Sequence, residues 1–143
     1  MRKAPAAFLT FVIAAAGFAI AGEFIHSATV PVSANVADQV EEGFKRAAER
    51  VRSTLPKRVD DATTLMDVSN TGTVLTYRYM VDSDNYELIP NFMQVARQRA
   101  IGLACNTEDT KAAMEAGGTY EFNYSDGKFQ SLGGFVVTSA DCR

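Results

Sequence analysis

The sequence predicts an α+β fold in two layers: a four-stranded antiparallel sheet made of two hairpins, with about three helices packed on one face. Three observations predict it. Apolar residues recur at steps of three and four from Val36 to Leu55. They alternate one-in-two on either side of two turn-rich stretches, "SNTGT" and "SDGK". The segment between those hairpins returns to helical spacing. Amphipathic helices laid on one face of an antiparallel sheet bury both kinds of apolar surface at once.

The N-terminus precedes that domain. Residues 1–22 read "MRKAPAAFLTFVIAAAGFAIAG", with Arg2 and Lys3, an apolar run, and then Ala19-Ile20-Ala21. Basic start, apolar middle and small-x-small end are the marks of a secretory signal. A cleaved signal peptide over residues 1–21 is therefore expected, cut between Ala21 and Gly22. The alternative is an uncleaved membrane anchor, since residues 4–21 are nearly long enough to cross a bilayer. Their many alanines make the run weakly hydrophobic and favour cleavage. No cysteine follows the run, so it offers no bacterial lipid-attachment site. Residues 22–34, "GEFIHSATVPVSA", have no helical period and contain Pro31; they read as a flexible lead-in. A single domain over residues 35–143 follows.

The first helix has Val36, Val40, Phe44, Ala47, Val51 and Leu55 on its apolar face, Ser33 or Asn35 to cap it, and Pro56 to stop it. Glu41–Lys45 and Glu42–Arg46 stand at the supportive i,i+4 spacing on the other face. The first hairpin is expected over residues 63–69 and 73–81, with Leu75, Tyr77, Tyr79 and Val81 sharing one side. Pro90 suits the first turn of a second helix, whose stripe is Ile89, Phe92, Ala96, Ala100 and Leu103, and which ends near Cys105. Asn106 or Thr107 caps a short third helix, with Glu108 and Asp109 at its positive end and Gly117-Gly118 after it. In the last hairpin Tyr120, Phe122 and Tyr124 alternate with polar residues, and the return strand is expected over residues 128–138. Its Gly133-Gly134 marks a bulge or a break.

The chain has 143 residues and a net charge of −3; loss of residues 1–21 leaves 12 basic and 17 acidic residues, a net −5. That balance, with no basic block, speaks against nucleic acid as a partner. Export also decides how the thiols read. Cys105 and Cys142 are the only cysteines, and in an oxidising compartment two thiols of one small domain pair. The bond ties the end of the second helix to the end of the last strand, where a chain terminus otherwise frays. A catalytic thiol needs a histidine base, and two cysteines without histidines make a poor zinc site.

Candidate chemistry is sparse. His26 is the only histidine and lies in the lead-in, so no triad or histidine metal site is expected in the domain. Asp60, Asp61 and Asp67 surround a turn and are the candidates for a carboxylate pair, with capping and solvation as the competing account. "DSDNYE", residues 82–87, begins like a calcium loop but has Tyr86 at a ligand position and no glycine at the sixth. The Tyr77/Tyr79 and Tyr120/Phe122/Tyr124 stripes read as core before they read as a binding surface. "NYS" at Asn123 has the form of a glycosylation sequon. No catalytic residue, metal or cofactor is expected.

The second half, "ACNTEDTKAAMEAGGTYEFNYSDGKF" through "TSADCR", with "LPKRVDDATTL" and "GTVLTYRYMV" upstream, resembles small exported proteins of Gram-negative bacteria. Among these it is similar to the quorum-sensing-regulated virulence factor family, over about residues 55–143. The resemblance implies a signal peptide, an α+β domain and a disulfide role for Cys105 and Cys142, and it carries over no catalytic residue. The long first helix departs from it.

Together these readings predict a periplasmic or secreted non-enzymatic protein that binds another protein or an envelope component. The alternatives are an accessory subunit anchored in the inner membrane by residues 4–21 and facing the periplasm, and a small carboxylate-dependent hydrolase.

Overall fold

In a computed structural model the described residues are 4–5 and 35–143. The signal segment, the cut between Ala21 and Gly22, the lead-in and His26 lie outside them, Ala4 and Pro5 excepted. Helix α1, Val36–Arg52, leads into a short strand β1, Lys57–Arg58, and the hairpin β2, Thr63–Thr71, with β3, Val74–Val81. Helices α2, Phe92–Asn106, and α3, Glu108–Glu115, come next. The hairpin β4, Thr119–Asp126, with β5, Ser131–Val137, follows, and a 3-10 turn over Ser139–Cys142 closes the chain. Ala4–Pro5 also pairs in parallel with Tyr86–Glu87.

The sheet has five strands in the order β1-β2-β3-β4-β5. It is mixed, which corrects the expectation of four antiparallel strands. Each hairpin is antiparallel as expected, but β3 and β4 run parallel, in register from Val74↔Thr119 to Val81↔Asp126. The cause is the connection. Parallel neighbours need a crossover of a dozen residues or more, and α2 with α3 supplies one, returning the chain to the end at which β3 began. The fifth strand, β1, pairs with Leu65 and Thr64 and falls between the first helix and the first hairpin, where no strand was expected.

One face of the sheet is covered by helices. Tyr77, Tyr79, Tyr120, Phe122 and Tyr124 lie in it, each at most 2% exposed, so both aromatic stripes are core. Register places Leu75 beside Tyr120, Tyr77 beside Phe122 and Tyr79 beside Tyr124, and the last two pairs stack at 5.3 and 5.1 Å between ring centres. α1 packs over β2 and β3, and α2 over β5. α1 is capped by the Asn35 side chain, which accepts from the Asp38 amide at 2.9 Å, and it buries Val40, Phe44, Ala47, Ala48 and Val51. Phe44 meets Tyr120 edge-on at 5.2 Å and fills the space that Gly118 leaves: a Cβ there would lie 2.8 Å from both the Phe44 ring and the Ala113 carbonyl oxygen.

α2 begins at Phe92, two residues after Pro90, and buries Phe92, Ala96, Ala100 and Ala104. Phe92, Ala96 and Ala100 are thus buried as expected, with Ala104 rather than Leu103 completing the face. Its small alanines let it sit close to β5, while Leu103 is only partly buried. Cys105, near its end, is bonded to Cys142 in the 3-10 turn, with the Cα atoms 5.4 Å apart. Arg97 of α2 pairs with Asp141 of the same turn at 2.6 Å, and Asp141 also accepts from the Thr138 amide at 2.9 Å. The C-terminus is thus held to α2 by a covalent link and an ion pair.

Candidate functional site

The acidic residues singled out in the sequence have structural duties. Asp60 accepts from the Ala62 amide at 2.8 Å, and the backbone carbonyls of Asp60 and Asp61 hold the Arg58 guanidinium. Asp67 pairs with Arg78 at 2.9 Å and with Arg52 at 3.6 Å. Asp82 closes its own loop, accepting from the amide and the side chain of Asn85 at 3.2 and 2.8 Å. Among the described residues no three acidic, histidine or cysteine side chains converge as a metal site. Of the carboxylates nominated for acid–base work, those of Asp60 and Asp67 are capping and pairing groups.

The open face of the sheet carries a polar mesh. Thr76 donates to Glu121 at 3.1 Å, Asn123 donates to the other Glu121 oxygen at 3.0 Å, and Arg78 reaches Asp67. Asn123, the sequon residue, is thereby engaged with its neighbour. Across from it Gly134 has no room for a side chain, since a Cβ would fall 2.8 Å from the Phe122 carbonyl oxygen.

Buried phenols form the other notable group. Burial pushes Tyr77 and Tyr79 well above the ordinary phenol value, with the neighbouring tyrosines adding to it. Burial likewise raises Tyr120, and the Thr110 hydroxyl beside it offsets part of the effect. Tyr124 is raised by burial first and by the charge of Asp60 second, and its hydroxyl is buried without a hydrogen-bond partner. Phenols held this way neither take nor give protons near neutral pH. They serve packing.

A groove with a mixed apolar and polar lining lies where α2 begins. Residues 88–94 and Leu132 surround a cavity of about 390 Å³. The Phe92 amide bonds back to the Ile89 carbonyl at 3.1 Å, so the chain turns sharply after Leu88. Phe92 is driven into the core against Tyr124, edge-on at 5.4 Å. Ile89, expected in the buried stripe, is instead 37% exposed at the rim. Met93 forms the floor over Gly133, where a Cβ would come within 3.3 Å of it. Gly133 has φ 127°, a conformation that glycine adopts freely, beside the bulge at Leu132.

A second apolar feature stands at the tip of the β4–β5 hairpin. Phe129, expected within the return strand, lies in the turn with φ 61° and 75% of its surface exposed. Asp126 fixes that turn: its carboxylate accepts from the Lys128 and Gln130 amides at 2.8 and 2.9 Å, and its carbonyl accepts from the Phe129 amide at 3.0 Å. Neither the groove nor this ring was visible in the periodicity.

No family model matches the sequence, and no curated protein matches it either. The fold does have solved counterparts. The pilotin EpsS of the type 2 secretion system of Vibrio vulnificus is 17% identical, at a TM-score of 0.67 over 76% of this chain and 96% of its own. A candidate secreted protein of Pseudomonas aeruginosa is 11% identical, at 0.65 over 78% and 99%. The type II secretion system pilotin AspS of Vibrio cholerae is 16% identical, at 0.59 over 75% and 95%. These likenesses establish a shared fold spanning almost the whole of each counterpart.

Proposed function

We propose that this chain is an exported, non-enzymatic protein that binds a protein of the cell envelope as an accessory of a secretion apparatus. The observation that carries the reading is the likeness in fold to two secretion-system pilotins along nearly their full lengths. The groove at residues 88–94 and Leu132 supports it, because a concave site that combines Leu88, Ile89, Met93 and Leu132 with Asn91 and Gln94 offers both apolar and polar contacts to a partner. Two of the three carboxylates that an enzymatic reading nominates, Asp60 and Asp67, are committed to backbone and arginine partners. The quorum-sensing-regulated virulence factor resemblance is a compatible second description, since it too concerns exported α+β proteins.

A photo-reactive benzoylphenylalanine in place of Leu132, activated in living cells, tests the reading. One covalent adduct with an envelope protein is expected, together with impaired secretion when the chain is deleted. Turnover of a small molecule by the purified domain, abolished by one side-chain change, overturns it. The mature protein is proposed to begin at Gly22 in the periplasm. A full-length chain that stays with membranes through an alkaline wash selects the anchored alternative.

A further inference from the structure

The two edges of the sheet differ in chemistry. β1 is two residues long, both exposed and both cationic, directly after Pro56. Short length, lysine or arginine, and proline are devices by which an edge avoids pairing with a foreign strand. β5 has seven residues, and no charged residue occurs between Lys128 and Asp141 in a chain that is 22% charged. Its bulge at Leu132 leaves Gly133 to Val137 as a regular edge.

Among the described residues, no backbone bond outside the sheet ladder involves Ser131–Val137. The Gly133 amide turns away from β4 and donates to the Ser131 hydroxyl at 3.3 Å. Antiparallel alternation then puts the Phe135 amide on the same outward side. Val136, on the polar face, is 49% exposed. At the start of the strand stands Phe129. A non-glycine residue in the left-handed region costs about 1–2 kcal/mol, and an exposed aromatic ring gains nothing from folding that offsets it. Such strain, kept on a surface, points to use.

We propose that β5 receives an extended, uncharged segment of the partner protein as a sixth strand, with an apolar residue of that segment covering Phe129. The proposal rests on the protein-binding reading and specifies how binding occurs. Main-chain bonds to the outward Phe135 amide and to the outward carbonyls of Gly133 and Phe135 supply affinity, and alternate side chains beside Val136 and Phe129 supply selectivity. A charged strand is rejected, because nothing along residues 129–140 neutralises it. A second copy fits poorly. Antiparallel self-pairing centred on Phe135 brings Phe129 of one copy against the Asp141–Arg143 end of the other, an apolar ring against charges.

The test uses the oxidised exported domain and a displayed library of random dodecapeptides. Enriched peptides are expected to be uncharged with two-residue apolar alternation, and to slow hydrogen exchange at Phe135. Val136→Lys places a charge on the edge and is expected to weaken binding at least about tenfold, and Phe129→Gly about as much, each a loss near 1.4 kcal/mol. Circular dichroism and melting of both variants establish that they fold. Peptides with helical spacing that protect residues 88–94 instead overturn the edge proposal and leave the protein-binding reading standing. Concentration-dependent dimers abolished by Val136→Lys overturn it in favour of self-pairing. Failure to enrich any peptide overturns the proposal, and the cross-link at Leu132 then decides the broader reading separately.

Discussion

Replacing Cys105 and Cys142 together with alanine removes the covalent link between α2 and the C-terminal turn while leaving every strand pair intact. The two residues are 37 apart in sequence. Closing a ring of about 38 residues in the unfolded chain removes about 13 cal/mol/K of entropy in the chain-entropy account, or about 4 kcal/mol at 25 °C. A domain of this size has about 5–15 kcal/mol of stability in total. The Arg97–Asp141 pair still holds the turn, but with the Arg97 side chain 44% exposed it contributes no more than about 1 kcal/mol. The double variant is therefore expected to melt about 15–20 °C below the oxidised protein. Thermal and urea unfolding of the oxidised domain, the domain in reductant and the double variant measure this. The reduced forms are also expected to show a steeper urea dependence, since an uncrosslinked chain exposes more surface on unfolding. A loss below about 1 kcal/mol, with oxidised and reduced protein melting alike, refutes the account of the bond as a restraint on the unfolded chain.

Gly118→Ala forces a methyl group to 2.8 Å from the Ala113 carbonyl oxygen and the Phe44 ring, so a loss of about 1–3 kcal/mol is expected from the urea midpoint; a wild-type midpoint contradicts the packing described. Phe129→Gly removes the left-handed strain and is expected to raise stability by about 1 kcal/mol, as read by melting; destabilisation shows the ring to be anchored after all. Alkaline titration followed by tyrosine absorbance is expected to show Tyr77, Tyr79, Tyr120 and Tyr124 ionising only as the fold opens. Their folded values are raised above 10.0, so unfolding releases protons at high pH, and stability present below about pH 10 is lost above it. Four phenols titrating freely at pH 10 in folded protein contradict their burial.

How far the fold could be read in advance depended on whether a feature is local. α1 was legible because its stripe and its Asn35 cap are properties of one short segment. Both hairpins were legible because alternation and turn chemistry lie side by side in sequence. The pairing of β3 with β4 was not, because the strand direction is set by a crossover through α2 and α3 and not by anything within either strand. The stripe of α2 was legible at Phe92, Ala96 and Ala100 and missed only at its ends, where Ile89 is exposed and Ala104 takes the place of Leu103. Ala104 weighs less than Leu103 on a hydrophobicity count, yet with Ala96 and Ala100 it completes the small-residue face that packs over β5. Of the candidate site, the acidic residues were visible but their partners were not, since Arg78 and Arg52 come from distant segments. The groove arises where a loop, a helix start and a bulge meet, a juxtaposition that no local pattern encodes.

These features bear jointly on β5. The strand is clamped at both ends by different chemistry. At its start Asp126 gathers two loop amides with its side chain and a third with its carbonyl. At its end the 3-10 turn is bonded through Cys142 to α2 and paired through Asp141 to Arg97. Between the clamps Met93 lies over Gly133 and holds the bulge against α2. An edge so restrained has little conformational freedom left to lose on pairing. A partner strand then bears mainly its own ordering cost, and the net affinity per bond formed is higher than on a loose edge. Reduction of the disulfide should therefore weaken strand addition even at temperatures where the domain stays folded. Comparing enriched-peptide affinity for oxidised and reduced protein at 10 °C measures it. Equal affinity in the two states means that β5 is held by its ladder with β4 alone, and the bond then serves stability without serving binding.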